Sequence, residues 1–436
     1  MKIDVMNKYL TFTALFAAFF LSGCLKDDCE QIYRYIALNP VYKAGKEFRV
    51  SEISSTINRE LVHPGKIYFY KNYLLINEQR EGIHVYDNSD QSHPVKITFL
   101  EIPGNVDIEI RDDILMADSY TDLLFISIKD IYQPKLRTRL QETFNLYGSD
   151  GSGNYLVYYL PSHEVTVSEC TNIQAGQPWI RLANGQLLAG REFFDTRVDL
   201  SSVNASSVSK ALSNVGIGGS LARFTQYDQF LYILNEYKLS VFDLSNMDKP
   251  FLANDIPFGW GLETIFPYKD KLFIGSRSGM FIFDASTPSN PTMLSAFTHA
   301  NACDPVYVDD QTAYVTLRDG TTCETFHNQL DVVDISNLSL PVLIKSYPME
   351  HPHGLSKYKN NLYICEGNYG LKAFDASDHK SIDQNLLVHN KDIQAMDIIT
   401  LPNETALVIG SDGFYQFDIS NPKKLRELSR IPVVNN

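Results

Sequence analysis

The sequence has little tryptophan, few cysteines and no cluster of basic residues. Only 2 Trp and 8 Met stand against 25 Tyr and 25 Phe, a composition that favours β-strands over helices. Acidic residues (52) outnumber basic ones (38), which argues against tracking of nucleic-acid phosphates. With 44% apolar residues among 436, the chain is too apolar for a disordered protein. Composition therefore predicts an acidic, all-β protein that does not bind nucleic acid.

Recognisable catalytic signatures are also missing from the sequence. It has no Gly-x-Ser-x-Gly elbow, no Gly-rich phosphate loop and no His-Glu-x-x-His motif. Its 6 cysteines include no Cys-x-x-Cys pair, and no Asp-x-Asp-x-Asp/Asn-Gly calcium loop occurs. The sequence therefore gives no direct indication of an enzyme or of a cofactor.

The first residues carry an export signal. A basic start precedes an apolar run from Tyr9 to Phe20, which is too short to span a bilayer. The following Leu-Ser-Gly-Cys24 resembles the lipobox of bacterial lipoproteins, and this resemblance implies cleavage before Cys24 and lipidation there. Residues 1–23 are then a lipoprotein signal peptide and residues 24–58 a tether. The alternatives are a signal peptide with a chance cysteine and an internal apolar helix.

The residues after the lipidation site indicate the cellular location of the protein. Lys26-Asp27-Asp28 resembles the short signal that sends some Bacteroidota lipoproteins to the outer face of the outer membrane. Acyl chains would hold the protein on a membrane, and no second long apolar run follows in the sequence. We therefore expect an outer-membrane, lipid-anchored protein at the cell surface, with the periplasmic face as the alternative.

A short sequence motif recurs through the rest of the chain. Its fullest copies read Leu-Ser-Val-Phe-Asp-Leu-Ser-Asn, Leu-Asp-Val-Val-Asp-Ile-Ser-Asn and Phe-Tyr-Gln-Phe-Asp-Ile-Ser-Asn, each followed closely by Pro. Most steps between copies are about 40 residues, the period of a propeller blade. The marker position of the seven copies is occupied by Asp87, Ser127, Asp243, Asp284, Asp334, Asp375 and Asp418. The repeat predicts an all-β fold, a seven-bladed β-propeller of four-stranded antiparallel blades over residues 59–436.

The marker Asp suits a turn, because Asp and Asn side chains bond their own backbone and the following Pro fixes φ. We therefore predict a structural role for it. The repeat text resembles the LVIVD-repeat family over roughly residues 60–436, apart from one insertion. This resemblance implies a β-propeller at the bacterial cell surface, and it implies no particular activity.

Two steps of the repeat are long. An insertion at about 145–221 falls between the last strand of one blade and the first strand of the next. Extra residues at 318–328 fall between a second and a third strand. In a four-stranded meander these two connections emerge on the same face, so we expect the ligand there. The alternative is that 145–221 conceals an eighth, degenerate blade.

Counting back nine residues from the second strand of each copy gives the residues that should surround the opening of the channel. The polar ones are Asn105, Glu263, Asp304, His353 and Asp397. Such a ring could bind a cation, a sugar or a basic group, and a solvated ring without function is the alternative.

A metal site is the sharper version of this hypothesis. It would use His351 and His353 on one side of an extended strand, with Glu366, Asp304 or Glu263 as further ligands. Among the cysteines, Cys303 and Cys323 sit in the two connection types of one face, so we expect a disulfide between them. A pairing of Cys29 with Cys170 is a looser expectation, and Cys365 would then be a buried thiol.

Three classes of function follow. The first is a monomeric, non-catalytic binding or adhesion module whose glycan or protein ligand meets the insertion-bearing face. The second is an extracellular carbohydrate-active enzyme, or another hydrolase or lyase, that uses Asp304, Glu263 or Asp397 with His353 as acid and base. The third is a structural component of an envelope complex.

Overall fold

The computed structural model describes residues 36–49, 52–144, 151–165, 179–181, 187–189, 204–205, 217–235, 237–258, 261–276, 279–298, 305–318 and 328–434. These residues form strands almost throughout, with one short helix and one 3-10 turn. No helix among them has the length and hydropathy that crossing a bilayer requires. The chain divides into two compact units, 1–40 with 159–194 and 41–158 with 195–436, and the second contains every blade.

An N-terminal arm precedes the first blades. It comprises β1 (Ile36–Ala44), helix α1 (Gly45–Phe48) and β2 (Ser54–Thr56). Blade 1 follows as β3 (Pro64–Tyr70), β4 (Tyr73–Glu78), β5 (Gly82–Asp87) and β6 (Val95–Glu101). Blade 2 consists of β7 (Ile108–Arg111), β8 (Ile114–Ser119), β9 (Asp122–Ser127) and β10 (Lys135–Leu140). Strand β2 of the arm adds to the outer edge of β6.

The insertion contributes short strands. They are β11 (Asn154–Val165), β12 (Trp179–Arg181), β13 (Leu187–Ala189), β14 (Asn204–Ala205), β15 (Ile217–Gly218) and β16 (Ser220–Leu221). They pair as β1 with β11, β12 with β13 and β14 with β16, while β15 joins blade 1. The described part of the insertion thus contains no four-stranded sheet, and an eighth blade is not formed there.

Five further blades complete the ring in chain order. Blade 3 is β17 (Phe224–Tyr227), β18 (Phe230–Asn235), β19 (Lys238–Asp243) and β20 (Phe251–Pro257). Blade 4 is β21 (Leu262–Tyr268), β22 (Lys271–Ser276), β23 (Gly279–Asp284) and β24 (Thr292–Thr298). Blade 5 is β25 (Val306–Asp309), β26 (Thr312–Leu317), β27 (Gln329–Asp334) and β28 (Val342–Pro348).

Blade 6 is β29 (Leu355–Tyr358), β30 (Asn361–Cys365), β31 (Leu371–Asp375) and β32 (Leu386–Asn390), with a 3-10 turn at Ile382–Gln384. Blade 7 is β33 (Asp397–Leu401), β34 (Thr405–Gly410), β35 (Gly413–Asp418) and β36 (Arg426–Pro432). Each blade is an antiparallel meander of consecutive strands. The prediction of a seven-bladed, four-stranded propeller is confirmed.

The marker Asp ends the third strand of its blade and holds the turn that follows. Asp243 Oδ1 accepts a hydrogen bond from the backbone N–H of Ser245 at 2.7 Å. The same bond to the residue two positions on occurs in the copies at Asp87, Asp284, Asp334, Asp375 and Asp418. Hydrogen bonds from Ser420 lower the pKa of Asp418 to about 2. The predicted structural role of the marker is therefore confirmed.

Apolar side chains pack mainly between neighbouring blades. Phe266 and Phe273 of blade 4, for example, share a buried cluster with Val308 and Val315 of blade 5. Each blade therefore buries its faces only by standing next to another blade, which favours a closed ring.

The ring closes where blade 7 meets blade 1, and a buried pair of amides crosses this interface. Asn88 Nδ2 donates to Gln416 Oε1 at 2.9 Å, and Gln416 Nε2 donates back to Asn88 Oδ1 at 2.7 Å. Ser429 Oγ adds a bond to the backbone oxygen of Gln91 at 2.7 Å. Beyond the blades, the Val434 amide donates to the backbone oxygen of Leu61 at 2.8 Å.

Replacing one member of the buried amide pair should destabilise the protein. In Gln416→Leu the amide of Asn88 loses its partner inside the interface, a loss worth about 1–3 kcal/mol. Urea unfolding should report this as a lower midpoint. The matched control is Asn254→Leu, which removes a similar but exposed bond to Asn290 Oδ1. If both variants lose the same small amount of stability, the amide pair does not hold the ring closed.

Candidate functional site at the channel mouth

The two kinds of connection predicted to share a face do so. The backbone N–H of Arg80, in the hairpin between the second and third strands of blade 1, donates to the backbone oxygen of Asn105 at 2.8 Å, and Asn105 lies in the segment leading to blade 2. We call this side the insertion face. The opposite side carries the hairpins between first and second strands and between third and fourth strands, and we call it the turn face.

The end of the insertion crosses the mouth of the channel on this face. We call residues Ile217–Leu221 the strap. Its strand β15 pairs antiparallel with β3, placing Ile217 opposite Phe69 and Gly218 opposite Tyr68. Because β3 is the innermost strand of blade 1, the strap occupies the channel side of that strand.

Ser220 fastens the strap to two further blades. Its backbone N–H and its hydroxyl both approach Asp397 Oδ1 of blade 7, at 3.2 and 3.3 Å. The same hydroxyl oxygen accepts a hydrogen bond from the backbone N–H of Leu355 in blade 6 at 2.9 Å. One small polar side chain therefore links blades 6 and 7 to the chain that crosses between them.

The two residues after the strap continue across the mouth. The backbone oxygen of Ala222 accepts from the Ile265 amide of blade 4 at 2.9 Å. The Arg223 amide donates to Asp107 Oδ2 next to blade 2 at 2.7 Å. Between Ile217 and Arg223 the chain thus bonds to blades 1, 2, 4, 6 and 7 before it enters blade 3.

A layer of buried charge lies beneath this crossing. Lys66 of blade 1 donates from Nζ to Asp107 Oδ2 at 2.5 Å, and both side chains are buried. Burial lowers the pKa of Lys66, while the charge of Asp107 opposes that shift. The ionisable group on the other side of Lys66 is the carboxyl group of Asp397 in blade 7. Its Oδ2 has no hydrogen-bond partner among the described residues.

The carboxyl group of Asp397 is protonated more readily than an exposed one. Burial raises the pKa of Asp397 to about 8, although hydrogen bonds from Ile398 and Ser220 and the charge of Lys66 lower it. One layer further along the channel, Tyr68 donates to Glu109 Oε1. Burial raises the pKa of Glu109 to about 8 as well. Two carboxyl groups of the channel are therefore protonated in part at neutral pH.

Asn105 lies at the start of blade 2, where the sequence predicts it, but its amide is used within the fold. Its Nδ2 donates to Asp118 Oδ1 at 2.8 Å and to the backbone oxygen of Asp107 at 2.9 Å. Its Oδ1 accepts from Asn77 Nδ2 of blade 1 at 2.8 Å. The side chain is fully buried. Its bonds to Asn77 and to Asp118 join blade 1 to blade 2.

His353 begins blade 6 and is only 2% exposed. Arg318 Nη1 approaches His353 Nδ1, which must act as the acceptor because a guanidinium can only donate. A neutral ring then carries its proton on Nε2, which lies 3.0 Å from His351 Nδ1. Both ring nitrogens of His353 are thereby bonded within the protein.

The third residue of the metal hypothesis has other partners. Glu366 pairs with Lys372 at 2.5 Å and accepts from the Glu350 amide at 3.0 Å. In the part of the chain that is described, no group of three or more His, Cys, Asp or Glu is placed to hold a metal ion. The structure thus brings His351 and His353 together, while Glu366 forms an ion pair with Lys372.

The remaining predicted site residues divide as follows. Glu263 lies half-buried in β21, next to the channel mouth. Asp304 and both members of the predicted disulfide, Cys303 and Cys323, lie outside the described residues. So do Cys29 and Cys170. Cys365 is a buried free thiol, as the sequence predicts.

Comparison with known protein families gives one match. The LVIVD repeat matches residues 325–348, the segment that contains β27 and β28. This repeat stands in a ring of seven four-stranded blades. The chain is a seven-bladed β-propeller that contains an LVIVD repeat. A search of curated proteins finds no match to it.

Solved structures resemble the LVIVD propeller at the level of fold alone. The computationally designed Ika8 protein is 11% identical, with a TM-score of 0.50 over 87% of this chain and 91% of its own. Hsv2 of Kluyveromyces lactis is 11% identical, with a TM-score of 0.45 over 85% of this chain and 100% of its own. Sqt1 of Saccharomyces cerevisiae is 8% identical, with a TM-score of 0.47 over 92% and 90%.

Of the charged layer of the propeller, sequence reasoning found Asp397 but neither Lys66 nor Asp107. Measured from the hairpin between first and second strands, Asp397 lies one position further into its blade than His353 does, because the blade 7 hairpin has one residue more. At the level of Asp397 the corresponding residues include Lys66 and Asp107. Counting back from the last residue of each first strand, instead of from the second strand, would have brought Lys66, Asp107 and Asp397 into one column.

The raised pKa of Asp397 predicts a pH effect on stability. From about pH 4 to pH 8 the folded protein holds a proton that the unfolded chain releases, so stability falls as pH rises. Asp397→Asn keeps the acceptor for Ser220 but cannot ionise. It should therefore lose less stability across this range, by up to about 1.4 kcal/mol per pH unit.

Urea unfolding at several pH values between 5 and 8 measures this difference. Exposed Asp392→Asn is the matched control and should keep the wild-type slope. Parallel slopes for Asp397→Asn and the wild type would show that Asp397 is already ionised in the folded protein.

Proposed function

We propose that this LVIVD propeller is an interaction module that binds a partner through its insertion face, while lipid at Cys24 anchors it at the outer surface of the outer membrane. The strap is the observation that carries this proposal. Because the chain's own backbone crosses the channel mouth at residues 217–223, a partner meets a formed surface at this part of the face.

The burial of the predicted acid and base supports binding over catalysis. A hydrolase or lyase that used Asp397 with His353 would need substrate in contact with side chains that are 0% and 2% exposed. Asp397 Oδ1 already accepts from Ser220, and both nitrogens of His353 are bonded. The two residues are therefore better explained as parts of the closed mouth.

The N-terminal arm adds to the same face and makes it rigid. Arg49 bonds the buried carboxylate of Asp122 through Nε at 3.0 Å and through Nη2 at 3.1 Å. Phe48 packs edge-on against Tyr120 with ring centroids 5.3 Å apart, and against Tyr155 of the insertion at 6.0 Å. The arm, blade 2 and the start of the insertion thus form one packed platform, which suits recognition of a partner with little rearrangement.

The membrane part of the proposal rests on the amino-terminal sequence and has its own test. Cys24→Ser should abolish labelling by an alkyne fatty acid and release the full-length protein from the membrane fraction. Cys365→Ser, which changes a buried thiol, is the control and should retain the label. Labelling that survives Cys24→Ser would contradict the anchor.

The face used for binding can be mapped by photo-crosslinking in cells. A photoreactive amino acid at Tyr369 or Asp392, both exposed on the insertion face, should give a discrete adduct with a partner. The same residue at Gln311 or Asn403, exposed on the turn face, is the matched control and should give none. Adducts that form only from the turn face would contradict the proposal.

A further inference from the structure

The strap indicates which kind of ligand the channel mouth accepts. We propose that the mouth is a binding groove for an extended peptide segment of a partner protein, and that such a segment displaces the strap. This inference rests on the proposed function, since it assigns a partner class to the same face.

The contacts of the strap are mostly those of an extended backbone. Its strand adds to the inner edge of β3, and the Gly219 amide approaches the backbone oxygen of Ile67 at 3.4 Å. A Cβ on Gly218 would lie 3.3 Å from the ring of Tyr68, which favours glycine there. A groove with these features recognises peptide backbone and small residues, the mode known as β-augmentation.

At Ser220 the groove recognises a side chain through hydrogen bonds, while Ile217 packs against an apolar cluster. Its hydroxyl group is bonded to Asp397 Oδ1 and to the Leu355 amide. Asp397 Oδ2 is fully buried and lacks a hydrogen-bond partner among the described residues, so the groove can satisfy one more polar group than the strap supplies. A peptide with a second hydrogen-bonding group at this point would bind more tightly than the strap does.

The strap is held by two short pairings. Ile217 and Gly218 pair with β3, and Ser220 and Leu221 pair with the two-residue strand β14, whereas β33 pairs with β34 through five residues. Short pairing at the edge of a sheet opens at lower free energy than a core strand does. The strap can therefore leave the groove while the seven blades stay folded.

The test uses a fluorescent synthetic peptide with the sequence of residues 215–222, Val-Gly-Ile-Gly-Gly-Ser-Leu-Ala, and the full-length protein. Gly218→Leu with Ser220→Ala should loosen the strap, because leucine meets Tyr68 and alanine loses the bonds of the hydroxyl. By fluorescence anisotropy, this variant should bind the peptide at least tenfold more tightly than the wild type does.

Two controls make the result specific to the groove. A peptide with the same two substitutions should not bind, and Asp397→Ala added to the loosened protein should weaken binding of the original peptide. No binding by a loosened variant that still unfolds cooperatively would overturn the inference, and so would equal binding by variant and wild type.

Hydrogen exchange on the unaltered protein decides the matter if the loosened variant does not fold. The amides of Gly218, Gly219 and Ser220 should exchange at least a hundredfold faster than those of β33, under conditions where the protein stays folded. Exchange of both sets at one common rate would overturn the inference. If crosslinking from Tyr369 persists in that case, the proposed interaction module is supported and the peptide groove is not.

Discussion

The structure depends on the contact between blade 7 and blade 1. Every blade is built from four consecutive strands, so no strand is shared between the first blade and the last. Side chains provide most of the closure, through the amide pair of Asn88 and Gln416 and an apolar cluster that includes Ile67 and Leu407. The backbone bond from Val434 to Leu61 adds to it. All other interfaces join blades that are neighbours along the chain. The entropic cost of closing the chain into a ring therefore opposes the contact between blade 7 and blade 1 alone.

Closing the ring creates a second requirement at its centre. Seven innermost strands present a free edge to the channel, and buried backbone groups need hydrogen-bond partners. Charged side chains that point between blades need counter-charges for the same reason. The ion pair of Lys66 with Asp107 supplies the counter-charge. The strap pairs with the edge of β3 and so supplies partners for its backbone groups. The insertion is thus part of how the channel mouth is completed.

The repeat predicts the blades because their signals are local. Period, alternating strand pattern and the Asp-x-Ser turn all lie within a few residues of one another, so sequence alone determines them. Contacts between blades join residues about one repeat apart, such as Tyr68 with Glu109, and periodicity does not report which side chains meet. The strap could not be predicted, because residues 217–221 have no counterpart in any copy of the repeat. Its position follows only from the three-dimensional closure of the ring.

Charge balance explains why a neutral strap suits this channel. Lys66 is paired with Asp107, so a second ionised carboxylate at Asp397 would leave the buried layer with an excess negative charge. Burial instead favours the protonated form of Asp397 at neutral pH, and this keeps the layer near neutrality. A neutral layer offers little attraction to a metal ion or a charged substrate. It does offer hydrogen bonds to uncharged amides and hydroxyls, the groups through which Ser220 and its neighbours cross the mouth.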